Sequence, residues 1–272
     1  MDHRVAVTFA ADQFTKNVKQ FDNLNTVLVS HRLFAVRPTK KSRQDVTVKF
    51  ASGYLLGFVS RAYAERDRAV RQSFYKEISG HAWFATSAGR IFETHILLWF
   101  RYASAEDHLS CTPAVETSPL LHIPVCGKNM EFFSKAEDLK ADDLKNVAEH
   151  ERAKCLVPVS QTFPTLDAIV ITHSLVITVQ MTLGSKHDAK NIGFEKVYKY
   201  LSSKFLAKRQ WCHVFLTDTE DKANSLRSQN RTEIPEKMSI HVYSAFVNMD
   251  ELDSMLTKER VEKLDNDMVG RY

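Results

Sequence analysis

Three polar side chains fall on one face of a predicted β-hairpin in the middle of the chain. The first apolar strand opens at Asp167, and the second runs over 175–183. Because side chains alternate along a strand, Gln180 and Thr182 point to the same face. A two-residue loop at 173–174 places Asp167 directly opposite Gln180. The spacing therefore predicts a carboxylate, an amide and a hydroxyl together on one sheet face.

A second carboxylate is a candidate partner for Asp167. Glu93 lies one position off the apolar stripe of a predicted helix that begins near Gly89, so its side chain is placed to lean over the sheet edge. Two carboxylates aimed at one point suit Mg²⁺, which prefers oxygen ligands and shares phosphate oxygens with a substrate. An exposed helix glutamate and an aspartate at the start of an edge strand are the ordinary alternatives.

The alternation along 175–183 also has a purely structural explanation. Leu175, Ile177, Val179, Met181 and Leu183 are predicted to face the core. The intervening positions, which include Gln180 and Thr182, would then form the half-solvated face of an antiparallel strand.

The elements that position these residues follow an α/β order. Apolar periodicity predicts strands beside the hairpin at 26–29, 33–36, 46–50, 156–159, 212–216 and 240–243. It predicts helices at 52–79, from Gly89, at 134–152, at 189–208 and from 249. Residues 104–128 are predicted to be a loop-like section. Helices alternating with strands predict an α/β fold with a mixed α+β sheet. Residues 1–80 are predicted as an N-terminal α/β extension and 81–272 as the main domain.

Composition limits the class of protein. The chain has 272 residues, of which 44% are hydrophobic and 26% charged, as in ordinary soluble globular proteins. It has no apolar run near the ~20 residues of a membrane span, and no membrane partner is expected. Four scattered cysteines argue against a disulfide framework and indicate a reduced intracellular compartment. A net charge of +4 permits nucleic-acid binding without requiring it.

Three short motifs carry a family resemblance. They are Gly89-Arg90-Ile91-Phe92-Glu93 on a helix, Phe163-Pro164-Thr165-Leu166-Asp167 opening a strand, and Gln180-Met181-Thr182 followed by His187 before a lysine-rich helix. Together, over about 85–215, they resemble the nuclease-like C-terminal domains of Crinkler-type effectors and related fungal proteins. Those domains are placed in the PD-(D/E)xK restriction-endonuclease-like superfamily. The resemblance implies a restriction-endonuclease-like core with helices on both faces.

The resemblance also implies roles for individual residues. Glu93, Asp167 and Gln180 would hold Mg²⁺ or Mn²⁺, with Gln180 in a position that is usually acidic. Thr182 would occupy the position of the lysine that orients the attacking water, although a hydroxyl cannot replace the charge of lysine. Lys186, His187 or Lys190 would supply the missing cation or base from the start of the next helix, and the unperturbed pKa of a histidine suits proton transfer near neutrality.

A nucleic-acid surface is expected beside this site. Its candidate residues are basic and lie at or just before the helix predicted at 189–208: Lys186, Lys190, Lys196 and Lys199. Lysine contacts phosphate without selecting a base sequence. A solvated helix face explains the same charges.

Two functions follow from the resemblance. The first is a metal-dependent nuclease of the effector or toxin type that hydrolyses DNA or RNA. The alternative is a catalytically degenerate nuclease fold that binds nucleic acid or a protein. Relatives of this kind carry an upstream nucleotide-hydrolysing domain, whose Gly-x-x-x-x-Gly-Lys-Ser/Thr loop this chain lacks. The expected location is nuclear or cytoplasmic, including the nucleus of a host. An interaction protein without a metal site is a third alternative.

Overall fold

A computed structural model describes residues 34–38, 46–50, 60–61, 63–80, 85–139, 153–159, 163, 166–186, 191–201, 209–229 and 240–267. The chain divides into two compact units, one of Met1–His95 with Leu256–Tyr272 and the other of Ile96–Met255. The domain boundary predicted near Gly80 stays a prediction.

The described residues contain both strands and helices. The strands are β1 Phe34–Pro38, β2 Val46–Phe50, β3 His108–Pro113, β4 Leu121–Pro124, β5 Met130–Phe133, β6 Lys154–Pro158, β7 Ala168–Ile171, β8 Leu175–Met181, β9 Gln210–Thr217 and β10 Ile240–Phe246. The α-helices are α1 Arg68–Gly80, α2 Ala85–Tyr102, α3 Asn191–Leu201, α4 Glu220–Gln229, α5 Met249–Leu252 and α6 Lys258–Asp267.

The prediction of one continuous helix over 52–79 is wrong, because its second half is a separate helix. The chain turns at 65–67, and α1 begins only at Arg68. Asp67 accepts a hydrogen bond from the Val70 amide at 3.0 Å, which is the geometry of an N-terminal cap. A cap inside a periodic apolar stretch restarts the helix, and apolar periodicity alone does not detect it.

Two ion pairs connect separate segments of the first unit. The Arg61 guanidinium lies 3.1 Å from the Asp265 carboxylate, and Lys258 lies 2.5 Å from Glu65. These contacts tie α6 to the segment that precedes α1.

An eight-stranded mixed sheet forms the second unit. The strand order is β4-β3-β10-β9-β8-β7-β6-β5. β6, β7 and β8 form an antiparallel meander, and β9 and β10 then run parallel to β8. The α/β class and the mixed sheet are therefore confirmed.

The loop-like section predicted at 104–128 is wrong. It contains β3 and β4, which pair antiparallel with Cys111 opposite Leu121. These strands are short and contain proline, as strands near the margin of a sheet often do. Because short segments with proline resemble loops, their sequence pattern does not identify them as strands. The helix predicted at 134–152 and the strand at 26–29 lie largely or wholly outside the described residues.

Helices α3 and α4 cover one face of the sheet. Phe194, Val197 and Leu201 of α3 and Leu226 of α4 share a buried cluster with sheet residues such as Val176 and Phe215. Both crossovers, β8-α3-β9 and β9-α4-β10, move in the same direction along the sheet. Right-handed connections therefore place both helices on the same side.

Both faces of β8 are buried, contrary to the half-solvated face predicted for this strand. Residues 176–180 are all buried, so Thr178 and Gln180 lie beneath the helices. A strand that is buried on both faces carries polar groups only where they find partners.

A buried polar pair links β8 to β9 under α3. The Thr178 hydroxyl lies 3.0 Å from Cys212 O and 3.0 Å from His213 Nδ1. The His213 ring packs edge-on between Phe194 and Phe215, with ring centroids 4.8 and 4.6 Å away. The hydroxyl thus supplies a polar contact in an otherwise aromatic environment.

Helix α2 is buried around its whole circumference in its central part. Residues 91–100 are all buried, including Glu93, Thr94 and His95. Across the described ranges, no helix is both long and apolar enough to cross a membrane.

All four cysteines are buried thiols. Burial raises the pKa of Cys212 to about 12 and the pKa of Cys111 above its usual range. Because the thiolate is the reactive form, these two side chains are poor nucleophiles at neutral pH.

Replacing Thr178 by valine is expected to lower the free energy of unfolding by about 1–3 kcal/mol, since His213 Nδ1 loses a buried partner. Thr94→Val is the matched control. The Thr94 hydroxyl donates to Arg90 O at 2.9 Å, a carbonyl that already accepts within the helix. Urea unfolding measures both variants, and equal stability of Thr178→Val and wild type would contradict this role.

Stability is expected to depend on pH through Asp265. Burial raises the pKa of Asp265 from 3.8 to about 6, against the opposing effect of Arg61. Between these values the folded state holds a proton that the unfolded state has released, so stability falls as pH rises through this window. Asp265→Asn should remove a fall of about 1–2 kcal/mol in the free energy of unfolding, measured with urea between pH 4 and 7, since solvent screening reduces the effect of a partly exposed carboxyl group. The exposed Asp267→Asn is the control, and parallel pH profiles of wild type and Asp265→Asn would refute the assignment.

Candidate functional site at the carboxyl edge of the sheet

The register of the β7–β8 hairpin agrees with the sequence prediction. Ile171 pairs with Val176 and Ala168 with Val179, so the next pair along is Asp167 with Gln180. The Thr172 amide donates to Leu175 O at 3.0 Å and closes a two-residue loop. The turn thus brings Asp167 and Gln180 together from positions 13 residues apart.

The Asp167 carboxylate extends the hairpin ladder. Its Oδ2 accepts a hydrogen bond from the Met181 amide at 2.7 Å. The chain bends at Asp167, and the carboxylate supplies the acceptor that a longer β7 would have provided. Because a strand amide points in the plane of the sheet and towards the neighbouring strand, the carboxylate that accepts from it lies at the margin of the sheet.

Gln180 lies beside Asp167 in a buried environment. Its side chain is on the face covered by α3 and is only 5% exposed. Its register neighbour on β9 is Phe215. An amide in this position is far less costly to bury than the carboxylate expected in a nuclease of this superfamily.

Thr182 has a structural role where β8 ends. Its amide donates to Leu216 O at 2.9 Å, and its hydroxyl accepts from the Gly184 amide at 3.1 Å. The hydroxyl therefore stabilises the turn that leaves the strand.

We call the group Asp167, Gln180, Thr182, Thr217 and Asp218 the carboxyl edge. β8 and β9 end here side by side, and antiparallel β7 begins here. In α/β sheets, ligands bind outside the carboxyl ends of parallel strands. The structure thus brings three of the predicted residues to the edge where a ligand is expected.

Sequence reasoning missed Asp218 and Lys222. Lys222 Nζ lies 2.6 Å from Asp218 Oδ1, and the Asp218 side chain is 9% exposed. Helix α4 was overlooked because only Ala223 and Leu226 are buried along it. The available signal was local: Thr219 accepts from the Lys222 amide at 3.3 Å and begins the helix, and two acidic residues follow it.

Glu93 belongs to the first unit, whereas the carboxyl edge belongs to the second. Glu93 is 7% exposed, and its Oε2 lies 2.6 Å from Arg90 Nη1. The exposed helix glutamate is therefore ruled out. Whether Glu93 acts with Asp167 stays a prediction.

The candidate lysines have mixed outcomes. Lys186 and Lys199 are exposed, and Lys199 Nζ lies 5.4 Å from the Tyr200 ring centroid. The Tyr200 hydroxyl in turn donates to Glu137 Oε1 at 2.8 Å. His187, Lys190 and the side chain of Lys196 lie outside the described residues.

The carboxyl edge offers oxygen ligands rather than a rich metal cluster. Among the described residues, no group of three or more histidines, cysteines, aspartates or glutamates is arranged to hold a metal ion. Asp167 and Gln180 provide one carboxylate and one amide oxygen on neighbouring strands. This donor set fits a hard cation that keeps most of its water and shares phosphate oxygens.

Comparison of the chain with protein-family models, with curated proteins and with solved structures gives no match.

The two roles of Asp167 are separable by substitution. Asp167→Ala should lower the free energy of unfolding by about 1–3 kcal/mol, because the Met181 amide loses a charge-assisted acceptor. Asp167→Asn keeps an acceptor oxygen and should cost less than about 1 kcal/mol. Urea unfolding of both variants measures the difference. A loss as large in Asp167→Asn as in Asp167→Ala would show that the amide does not preserve the Met181 contact.

Proposed function

We propose that this chain is a metal-dependent nuclease with a restriction-endonuclease-like core, hydrolysing phosphodiester bonds of DNA or RNA. The observation that carries the proposal is the pairing of Asp167 with Gln180 at the carboxyl edge, with Thr182 two residues on. These are the strand positions that the resemblance assigns to the metal-binding and lysine residues. The effector role and action in a nucleus are proposals from the resemblance alone.

The order of elements supports the same proposal. Helix α2 comes first and is followed by the strands β3–β5. A three-stranded antiparallel meander (β6–β8), a second helix (α3) and a parallel strand (β9) then follow in that order. The meander places the start of β7 beside the end of β8. The two strand motifs, with Asp167 and Gln180 separated by 13 residues, therefore meet at one edge.

A divalent cation at this edge would polarise the phosphate and lower the pKa of a bound water. Asp167 would contribute a carboxylate oxygen, and Gln180 its carbonyl oxygen. With a single negative charge from these two residues, the edge should hold Mg²⁺ or Mn²⁺ weakly without a phosphate ligand. The contribution of Glu93 stays a prediction.

A second candidate function is a nuclease fold that binds nucleic acid without cutting it. It is favoured by Thr182, whose hydroxyl serves the turn at Gly184 and carries no charge. The amide of Gln180 favours it as well, because a neutral ligand lowers metal affinity. Binding without metal-dependent cleavage would identify this second function.

The nuclease proposal is tested by degradation of plasmid DNA and of a structured RNA with Mg²⁺, with Mn²⁺ and with EDTA. Wild type should cleave only with metal, and Asp167→Asn should reduce the rate by about a hundredfold or more, since it removes the charged ligand. Unlike Asp167→Ala, this variant is expected to fold normally. Metal-dependent cleavage at an equal rate in Asp167→Asn would overturn the assignment of Asp167.

Gln180→Glu tests the second ligand position in the opposite direction. A carboxylate at this buried position should destabilise the protein without metal and bind the cation more tightly. Because a ligand that binds only the folded state stabilises it, Mn²⁺ should raise the unfolding temperature of Gln180→Glu more than that of wild type. Gln180→Leu is the control without a ligand oxygen. Equal metal-induced shifts in all three proteins would exclude Gln180 from the metal site.

A further inference from the structure

A lysine ammonium group at the carboxyl edge is paired with an acidic side chain. Lys222 lies in the first turn of α4, and its Nζ is 2.6 Å from Asp218 Oδ1. The Thr217 hydroxyl lies 3.4 Å from the same carboxylate oxygen. Asp218 is held at the end of β9, so the ammonium of Lys222 is positioned rather than extended into solvent.

The ion pair lies beside the end of β8. The β8–β9 register pairs Gln180 with Phe215 and Met181 with Leu216, and the next pair is Thr182 with Thr217. The bond from the Thr182 amide to Leu216 O continues this register. Asp218 is thus one residue beyond the direct neighbour of Thr182.

The face of α4 that carries Lys222 contacts the loop after β8. Ser225 and Gln229 both donate to Ser185 O, each at 3.1 Å. Residues 222, 225 and 229 are spaced by three and four, which places them on one face of a helix. Lys222 is therefore on the side of α4 that faces the turn through Gly184.

We propose that Lys222, positioned by Asp218, is the cation that contacts a phosphate of the nucleic acid at the carboxyl edge. The inference rests on the proposed function and identifies the residue that compensates for Thr182. An ammonium has three donors, and Asp218 accepts from one of them, so donors remain for non-bridging phosphate oxygens. Asp218 is a positioning residue in this arrangement.

An ordinary helix ion pair is the competing explanation. Pairs spaced by four residues contribute only a few tenths of a kcal/mol to folding and are indifferent to nucleic acid. The two explanations therefore differ in binding and in its salt dependence, not in stability.

The test is the affinity of fluorescein-labelled single-stranded and double-stranded oligonucleotides, measured with EDTA and again with Ca²⁺. Lys222→Gln should weaken binding roughly tenfold at low salt, since a charge-assisted bond is lost. It should also reduce the slope of log affinity against log salt by about one. Lys222→Arg should restore both values, and Asp218→Asn should lie between wild type and Lys222→Gln.

Arg227→Gln is the matched control. Arg227 lies on the same helix, about 140° around it from Lys222, and donates to Asn224 Oδ1 at 2.5 Å. The Arg227→Gln substitution removes one positive charge from α4 and leaves the proposed Lys222 contact unchanged. Its effect on the affinity and on the salt slope should therefore be small.

The outcomes separate this inference from the nuclease proposal. A loss specific to Lys222→Gln supports the contact whether or not wild type cleaves. Equal losses in Lys222→Gln and Arg227→Gln overturn it, and cleavage that depends on Asp167 would then still support the nuclease. No binding of either oligonucleotide by wild type, in either buffer, overturns the inference as well.

Discussion

The hydrogen bond from the Met181 amide to the Asp167 carboxylate, 2.7 Å long, joins the fold to the candidate chemistry. It terminates the β7–β8 ladder where the first strand bends away. The two-residue loop fixes the register, and this bond holds the open end of the hairpin. Gln180 then has a defined neighbour on β7, and Thr182 leaves β8 beside β9. The carboxyl edge depends on this hairpin being closed at both ends.

Burial changes what the polar residues of β8 can do. On a half-solvated face, water would satisfy the hydrogen-bonding groups of Thr178 and Gln180, and these residues would indicate little about function. Under α3 and α4, Thr178 instead contacts Cys212 O and His213, and Gln180 occupies a position where a carboxylate would be costly. A neutral amide there is compatible with a stable fold in the absence of a cation. The amide of Gln180 at this buried position therefore has a folding explanation.

The predictable part of the fold lies where apolar periodicity is strong and local. β2 and the two hairpin strands have the positions that alternation predicts, and the Asp167–Gln180 pairing followed from a two-residue turn. β3 and β4 were missed because short marginal strands with proline resemble loops. α4 was missed because two buried residues make too weak a stripe. The break at 65–67 was missed because the Asp67 cap interrupts a periodicity that otherwise continues.

The sequence by itself determined the hairpin and its register, because both depend on residues close along the chain. Only the tertiary structure decided that both faces of β8 are buried, because covering a sheet depends on helices that follow later. It also placed Lys222 beside the end of β8, about 40 residues from Thr182 along the chain. Parallel strands end at the same edge whatever their separation in sequence. The position of Lys222 beside the end of β8 therefore depends on the arrangement of neighbouring elements and not on local sequence.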